Sequence, residues 1–139
     1  MRFMMIVRAK PESETGGVPD EKMISDMMKF NEEMAKAGVL LAAEGLHPSS
    51  KGVRIKFSGK ERTVTKGPFP ANQLIAGYWI ISADSLDDAI SWAKRSPNPM
   101  HGESEIEIRQ IFETEDFGPE MTPELKKKEE HIREMVTKK

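Results

Sequence analysis

Apolar positions along the chain recur with two different periods, and the switches between them mark the elements. Residues 3–7 form a short apolar run flanked by Arg2 and Arg8, the pattern of a strand that then enters an exposed polar loop over residues 10–17. From Asp20 the period changes. Met23, Met27, Phe30, Met34 and Ala37 follow one another at spacings of four, three, four and three, with charged residues between them. This is one face of an amphipathic helix, with Asp20 as N-cap and Gly38 just past its end. Residues 39–46 predict a second strand, broken by Gly45 and stopped by His47-Pro48. Residues 53–57 and 61–65 alternate around Ser58-Gly59-Lys60, a half-exposed hairpin with Arg54, Lys56 and Arg62 on its basic outer side.

Gly67-Pro68-Phe69-Pro70 excludes helix and central strand, because two prolines fix φ and remove two donors. The aromatic and β-branched run Tyr78-Trp79-Ile80-Ile81 predicts a buried strand over 77–82. Leu86, Ala89, Ile90 and Ala93 line a second helix capped by Asp84 or Ser85, and Ser96-Pro97 ends it. Residues 105–112 alternate again, with Ile106 and Ile108 on one face and Glu105, Glu107 and Arg109 on the other. Thr122-Pro123 opens a last helix bearing Leu125, Ile132 and Val136.

With the hairpin set aside as an insertion, the order is strand, helix, strand, strand, helix, strand. The predicted fold is α+β, a ferredoxin-like βαββαβ arrangement with an inserted β-hairpin. Residues 1–115 form that domain and residues 116–139 a C-terminal helical extension. Both helices cover one sheet face. Apolar residues on both sides of the strands, as in Met4-Met5-Ile6 and Trp79-Ile80-Ile81, leave the other face to be covered, and pairing of two such sheets in a homodimer supplies the cover.

Composition narrows the function. A chain of 139 residues suits one domain able to bury a core without disulfides or metals. The 21 Lys and Arg nearly balance the 23 Asp and Glu, for a formal charge of −2, so no net field favours nucleic acid or an anionic membrane. No apolar run reaches the length of a membrane span, and residues 1–8 are too short for a signal-peptide core. Cysteine is absent, which removes thiol nucleophiles and Cys-ligated metals and fits a cytoplasmic setting. No cofactor or metal is expected.

Several segments in order, Glu44-Gly45-Leu46-His47-Pro48-Ser49, Val64-Thr65-Lys66-Gly67-Pro68-Phe69, Ala76-Gly77-Tyr78-Trp79-Ile80-Ile81 and Glu105-Ile106-Glu107-Ile108-Arg109 among them, resemble the YCII-related family in its Asp-Gly-Pro-Phe branch. The resemblance spans roughly residues 1–112. It implies a dimeric α/β-barrel of ferredoxin-like subunits with a cleft near the Gly-Pro-Phe loop, and it implies no settled activity. Lys66 stands where the motif has its acid, so a carboxylate base is missing there while the shape of the loop is kept.

The candidate chemistry is spread over three places. Lys66, Gly67, Pro68 and Phe69 suit a wall facing a small anion, against the alternative of a solvated lysine at a hairpin end. Glu44 and His47 suit an acid–base pair, and His101 is a further titratable candidate; a loop histidine that only bonds backbone is the alternative in each case. Glu107 and Arg109 either hold a ligand carboxylate or form ion pairs across the sheet with Arg2, Arg8 or a partner subunit. Trp79 lines an apolar pocket or belongs to the core. The function expected is binding of a small polar or anionic molecule in a cleft at the dimer interface, as in a cofactor-free enzyme; a non-catalytic ligand-binding or protein-interaction module is the alternative, and a purely structural role the third.

Overall fold

The computed structural model describes residues 1–16 and 19–137; Gly17 of the predicted loop and the last two residues of the C-terminal extension lie outside them. Its elements are β1 (Arg2–Arg8), α1 (Pro11–Glu14), α2 (Glu21–Lys36), β2 (Leu40–Gly45), β3 (Val53–Ser58), β4 (Glu61–Lys66), β5 (Ile75–Ser82), α3 (Leu86–Arg95), β6 (Ile106–Gln110) and α4 (Pro123–Thr137). The main sheet runs in the order β2-β5-β1-β6, antiparallel throughout, and β3 and β4 form a separate two-stranded ribbon. Two interleaved β-α-β units, β1-α2-β2 around β5 and β5-α3-β6 around β1, make this the ferredoxin-like α+β arrangement.

The helices start where the sequence places caps. The Asp20 carboxylate accepts from Met23 N–H at 2.9 Å and the Ser85 hydroxyl from Asp88 N–H at 3.1 Å, each satisfying a donor that the first helical turn leaves free. Gly38, at φ 76°, takes the left-handed conformation that closes α2 without a Cβ penalty.

Period two decides the two sheet faces. Phe3, Met5, Val7, Trp79 and Ile81 point to the helices and are buried against Phe30, Met34 and Ala89, each large side chain worth about 1.5–3 kcal/mol of burial. Ile106 and Ile108 join them from β6. The intervening residues Met4, Ile6, Tyr78 and Ile80 form the opposite face, where the registers place Met4 beside Ile80 and Ile6 beside Tyr78. They are half-buried, and neither α2 nor α3 covers them.

Three expectations change. The predicted loop after β1 contains the short helix α1, because Pro11 suits a first helical turn and Ser13 and Lys10 exchange hydrogen bonds across it. The last strand is shorter than residues 105–112, ending at Gln110, and the chain then turns through a 3-10 segment at Thr114–Glu120. The ribbon is exposed on both faces rather than half-exposed, including Ile55, Phe57 and Val64. Among the described residues no helix is long and apolar enough to cross a membrane.

A bidentate ion pair ties the chain leaving β6 to the start of β1. Arg2 Nε and Nη2 donate to Glu113 at 2.8 and 3.2 Å, and these bonds hold the Glu113 carboxyl below the usual carboxylate range. A depressed carboxylate contributes stability above its unfolded-state pKa and loses it as pH falls through the folded value. The melting advantage of the native chain over Glu113→Gln is therefore expected to persist at neutral pH and to shrink below about pH 4. Thermal melts of both proteins across that range check it, and a constant difference down to strong acid would contradict it.

Candidate functional site

The sheet ends, on the β2 side, in a pair of glycines. Gly45 and Gly77 lie opposite each other in register, two pairs beyond Ala43 and Trp79 and therefore on the same face. Directly opposed residues share a face, so the row next to Trp79 presents no side chains to α2. From above, α2 contributes Met23 and Met27 one turn apart. The space between is a cleft of about 920 Å³, with Val7, Trp79 and Met100 completing its apolar floor. Clefts of this size and lining are typical of small-molecule sites.

α1 forms one wall of this cleft, tethered at both ends. At one end the Glu14 carboxylate accepts from Ser49 N–H at 2.9 Å and from the Ser49 hydroxyl. At the other, Lys10 Nζ donates to the carbonyls of His101 and Glu103 at 2.8 and 2.6 Å, and Glu12 accepts from His101 N–H at 3.3 Å. α1 thereby spans from the chain that follows β2 to the chain that follows α3. Glu44, His47, Lys51 and His101 stand at the rim, all exposed. Among the described residues no hydrogen bond joins Glu44 to His47, and no cluster of three or more His, Asp or Glu forms a metal-ligand group.

The residues singled out from the sequence thus divide. Glu44, His47, His101 and Trp79 line the cleft together, whereas Lys66, Gly67, Pro68, Phe69, Glu107 and Arg109 do not. The Gly67-Pro68-Phe69 loop stands behind the wall and acts on it through Ser49, whose hydroxyl oxygen accepts from Phe69 N–H at 2.9 Å. Gly67 packs so closely that a Cβ would overlap the Ser49 carbonyl oxygen, and Gly67 N–H donates to Gly52 at 3.0 Å. Arg54 lies 4.0 Å over the Phe69 ring and bonds Gln73 Oε1 at 3.2 Å, fixing the ribbon against the loop. Lys66 is exposed at the end of β4.

Glu107 and Arg109 lie on the open sheet face, beside Ile6 and Met4. Glu107 pairs with Arg8 at 2.9 Å and with Arg109 at 3.4 Å. Hydrogen bonds from Arg8 and then Arg109 keep its carboxyl below the ordinary range. Within one chain Glu107 thus pairs across the strands with Arg8 and along its own strand with Arg109.

Sequence reasoning missed Glu14, Ser49, Asn31 and Met100. Glu14 and Ser49 meet across 35 residues, which no local pattern encodes. Asn31 did leave a signal, since it follows Met27 by four and so breaks the apolar stripe of α2 with a polar side chain.

A model of the YCII-related domain matches residues 1–115, and the chain belongs to that family. It is also similar to an uncharacterized protein of Rhizobium meliloti (strain 1021), 28% identical over 90 residues that cover 63% of this chain and 73% of that protein.

The contact of Gly67 with Ser49 leads to a direct test. Gly67→Ala must push the Ser49 backbone aside, at a cost of about 1–3 kcal/mol in denaturant unfolding. Gly45→Ala, with open space around its Cβ, is expected to stay within about 0.5 kcal/mol of the native chain. Equal stabilities for the two variants would show that the loop does not bear on Ser49 as described.

Proposed function

We propose that this YCII-related protein binds a small molecule with an apolar body and a polar or anionic end in the cleft beneath α1. The observation that carries the reading is the juxtaposition of an apolar floor, Trp79 and Met100, and the α2 side chains Met23 and Met27 above it with the charged and imidazole-bearing rim of Glu44, His47, Lys51 and His101. Such a floor offers burial for an apolar body, and the few polar groups at the rim fix its orientation. Lys51 and, when protonated, His47 or His101 provide positive charge for an anionic end. The anion-facing role first considered for Lys66 passes to these groups, because Lys66 stands away from the cleft. His47, an imidazole able both to accept and to donate a proton, is the side chain we assign to proton transfer if the bound molecule is also turned over, with Glu44 orienting it once the ligand excludes water from the rim. Binding without turnover is the alternative, in which the same residues serve recognition alone.

The assembly belongs to this reading. The chain fits the Asp-Gly-Pro-Phe branch with Lys66 in place of the acid, and the half-buried residues Met4, Ile6, Tyr78 and Ile80 favour pairing of two open sheet faces into a dimeric α/β-barrel. Residues 116–139 are read as an extension beyond the family domain.

Two measurements test the proposal. Gly45→Phe fills the cleft from a position with no neighbour within 4 Å of its Cβ, so it is expected to keep the native melting temperature to within a few degrees while abolishing ligand-induced thermal shifts across a panel of small aromatic and aliphatic carboxylates. Shifts that survive Gly45→Phe would place binding elsewhere. For the assembly, light scattering at micromolar concentration is expected to give twice the 15.7 kDa chain mass and Ile80→Glu to give the single-chain mass; a native monomer would refute the pairing.

A further inference from the structure

One polar side chain lining the cleft, the half-buried Asn31, has its orientation decided by chemistry. Trp79 Nε1 donates to Asn31 Oδ1 at 2.8 Å. An indole N–H can only donate, so the amide oxygen of Asn31 must face it and the amide nitrogen must face away. Trp79 is 4% exposed and meets Phe30 edge to face, with ring centroids 5.9 Å apart, so the indole that sets this orientation is itself held rigidly. Asn31 lines the cleft next to Met27. Among the described residues its Nδ2 has no hydrogen-bond partner, and it is not among the polar atoms sealed from solvent.

We infer that Asn31 Nδ2 is the specificity-determining donor of the cleft, and that the molecule bound there carries a carbonyl, carboxylate or other acceptor atom on the apolar part that reaches Asn31. The inference rests on the cleft being a binding site and adds which chemistry it selects. A ligand acceptor placed there completes the hydrogen bonding of Nδ2 as the ligand displaces water from the cleft. A shape-matched ligand with a methylene at that point leaves the donor stripped of solvent and unpaired, a penalty that discriminates more sharply than the hydrogen bond itself attracts. Because Trp79 already occupies Oδ1, Asn31 cannot turn over to offer an acceptor without leaving the indole N–H unpaired. The preference therefore has a fixed sign.

The experiment uses two probes of nearly equal shape, 2-acetylnaphthalene with a carbonyl oxygen and 2-isopropenylnaphthalene with a CH2 in its place, titrated into the full chain by NMR with the side-chain amide of Asn31 assigned. Tighter binding of the ketone by about three- to tenfold is expected, together with a downfield shift of the Asn31 amide protons that the hydrocarbon does not cause. In Asn31→Asp the carboxylate still accepts from Trp79 but the donor is gone, so the ketone's advantage is expected to vanish while the indole N–H resonance of Trp79 stays in place. Equal binding of the two probes to the native chain, with the Asn31 amide unmoved, overturns the inference and leaves the cleft proposal standing. An advantage undiminished in Asn31→Asp also overturns it. Failure of both probes to bind overturns the cleft proposal and this inference together. The native-chain shifts do not depend on whether the variant folds.

Discussion

The structure depends on the alternation of two central strands. β1 and β5 pair over almost their whole length, from Arg2 beside Ser82 to Val7 beside Gly77, and their odd-numbered residues all turn to the helices. A slip of one residue would expose Phe3, Met5, Trp79 and Ile81 and bury Arg2 and Arg8. The burial of that set therefore fixes register, and register fixes which residues remain for every other purpose. α2 and α3 are held by the same side chains, so their own placement follows from the strands.

The cleft is a local exception to this packing. Along β5 the helix-facing positions are Ile81, Trp79 and Gly77, and along β2 the facing partners of the last two are Ala43 and Gly45. Side-chain volume falls away toward the end of the sheet while α2 runs on as one helix over Glu21–Lys36. A helix cannot follow a falling floor, and the mismatch opens a gap. Unbranched Met23 and Met27 reach into it without filling it, which suits an adaptable binding surface. At Gly77 the small size is required, since a Cβ would come within 2.8 Å of the Glu44 carbonyl oxygen; at Gly45 nothing of the kind applies, and the missing side chain is simply space.

Two loops far apart in sequence complete the site by bonding to α1. The Glu14 carboxylate meets the Ser49 main chain and hydroxyl, and Ser49 in turn receives Phe69 N–H. The Gly67-Pro68-Phe69 loop is thus a buttress: its shape supports Ser49, Ser49 supports Glu14, and Glu14 holds the wall. This accounts for the loop keeping its glycine, where a Cβ finds no room, although none of its residues touches the cleft.

The elements themselves were legible in the chain, because caps such as Asp20 and Ser85, the left-handed Gly38 and the period-two runs of β1, β5 and β6 are local signals that burial then reinforces. Ile106 and Ile108 facing the helices, with Glu107 and Arg109 opposite, follow from alternation alone. The site was only half legible. Glu44, His47, His101 and Trp79 stand out by residue type, whereas Glu107 and Arg109 are candidates for their charge and Lys66 to Phe69 for their chemistry together with the cleft that the family resemblance implies near the Gly-Pro-Phe loop. What separates them is distance in space, and that depends on strand order: β6 lies at the edge opposite β2, and the ribbon is a sheet of its own. The sequence by itself determined the longer helices, the strands of the main sheet and the faces they bury, since those follow from propensity and period, but not α1 or the full exposure of the ribbon. Tertiary structure alone decided that two glycines, two methionines and an asparagine oriented by Trp79 would enclose one space, because that arrangement exists only once non-adjacent strands have paired and α2 has been laid across them.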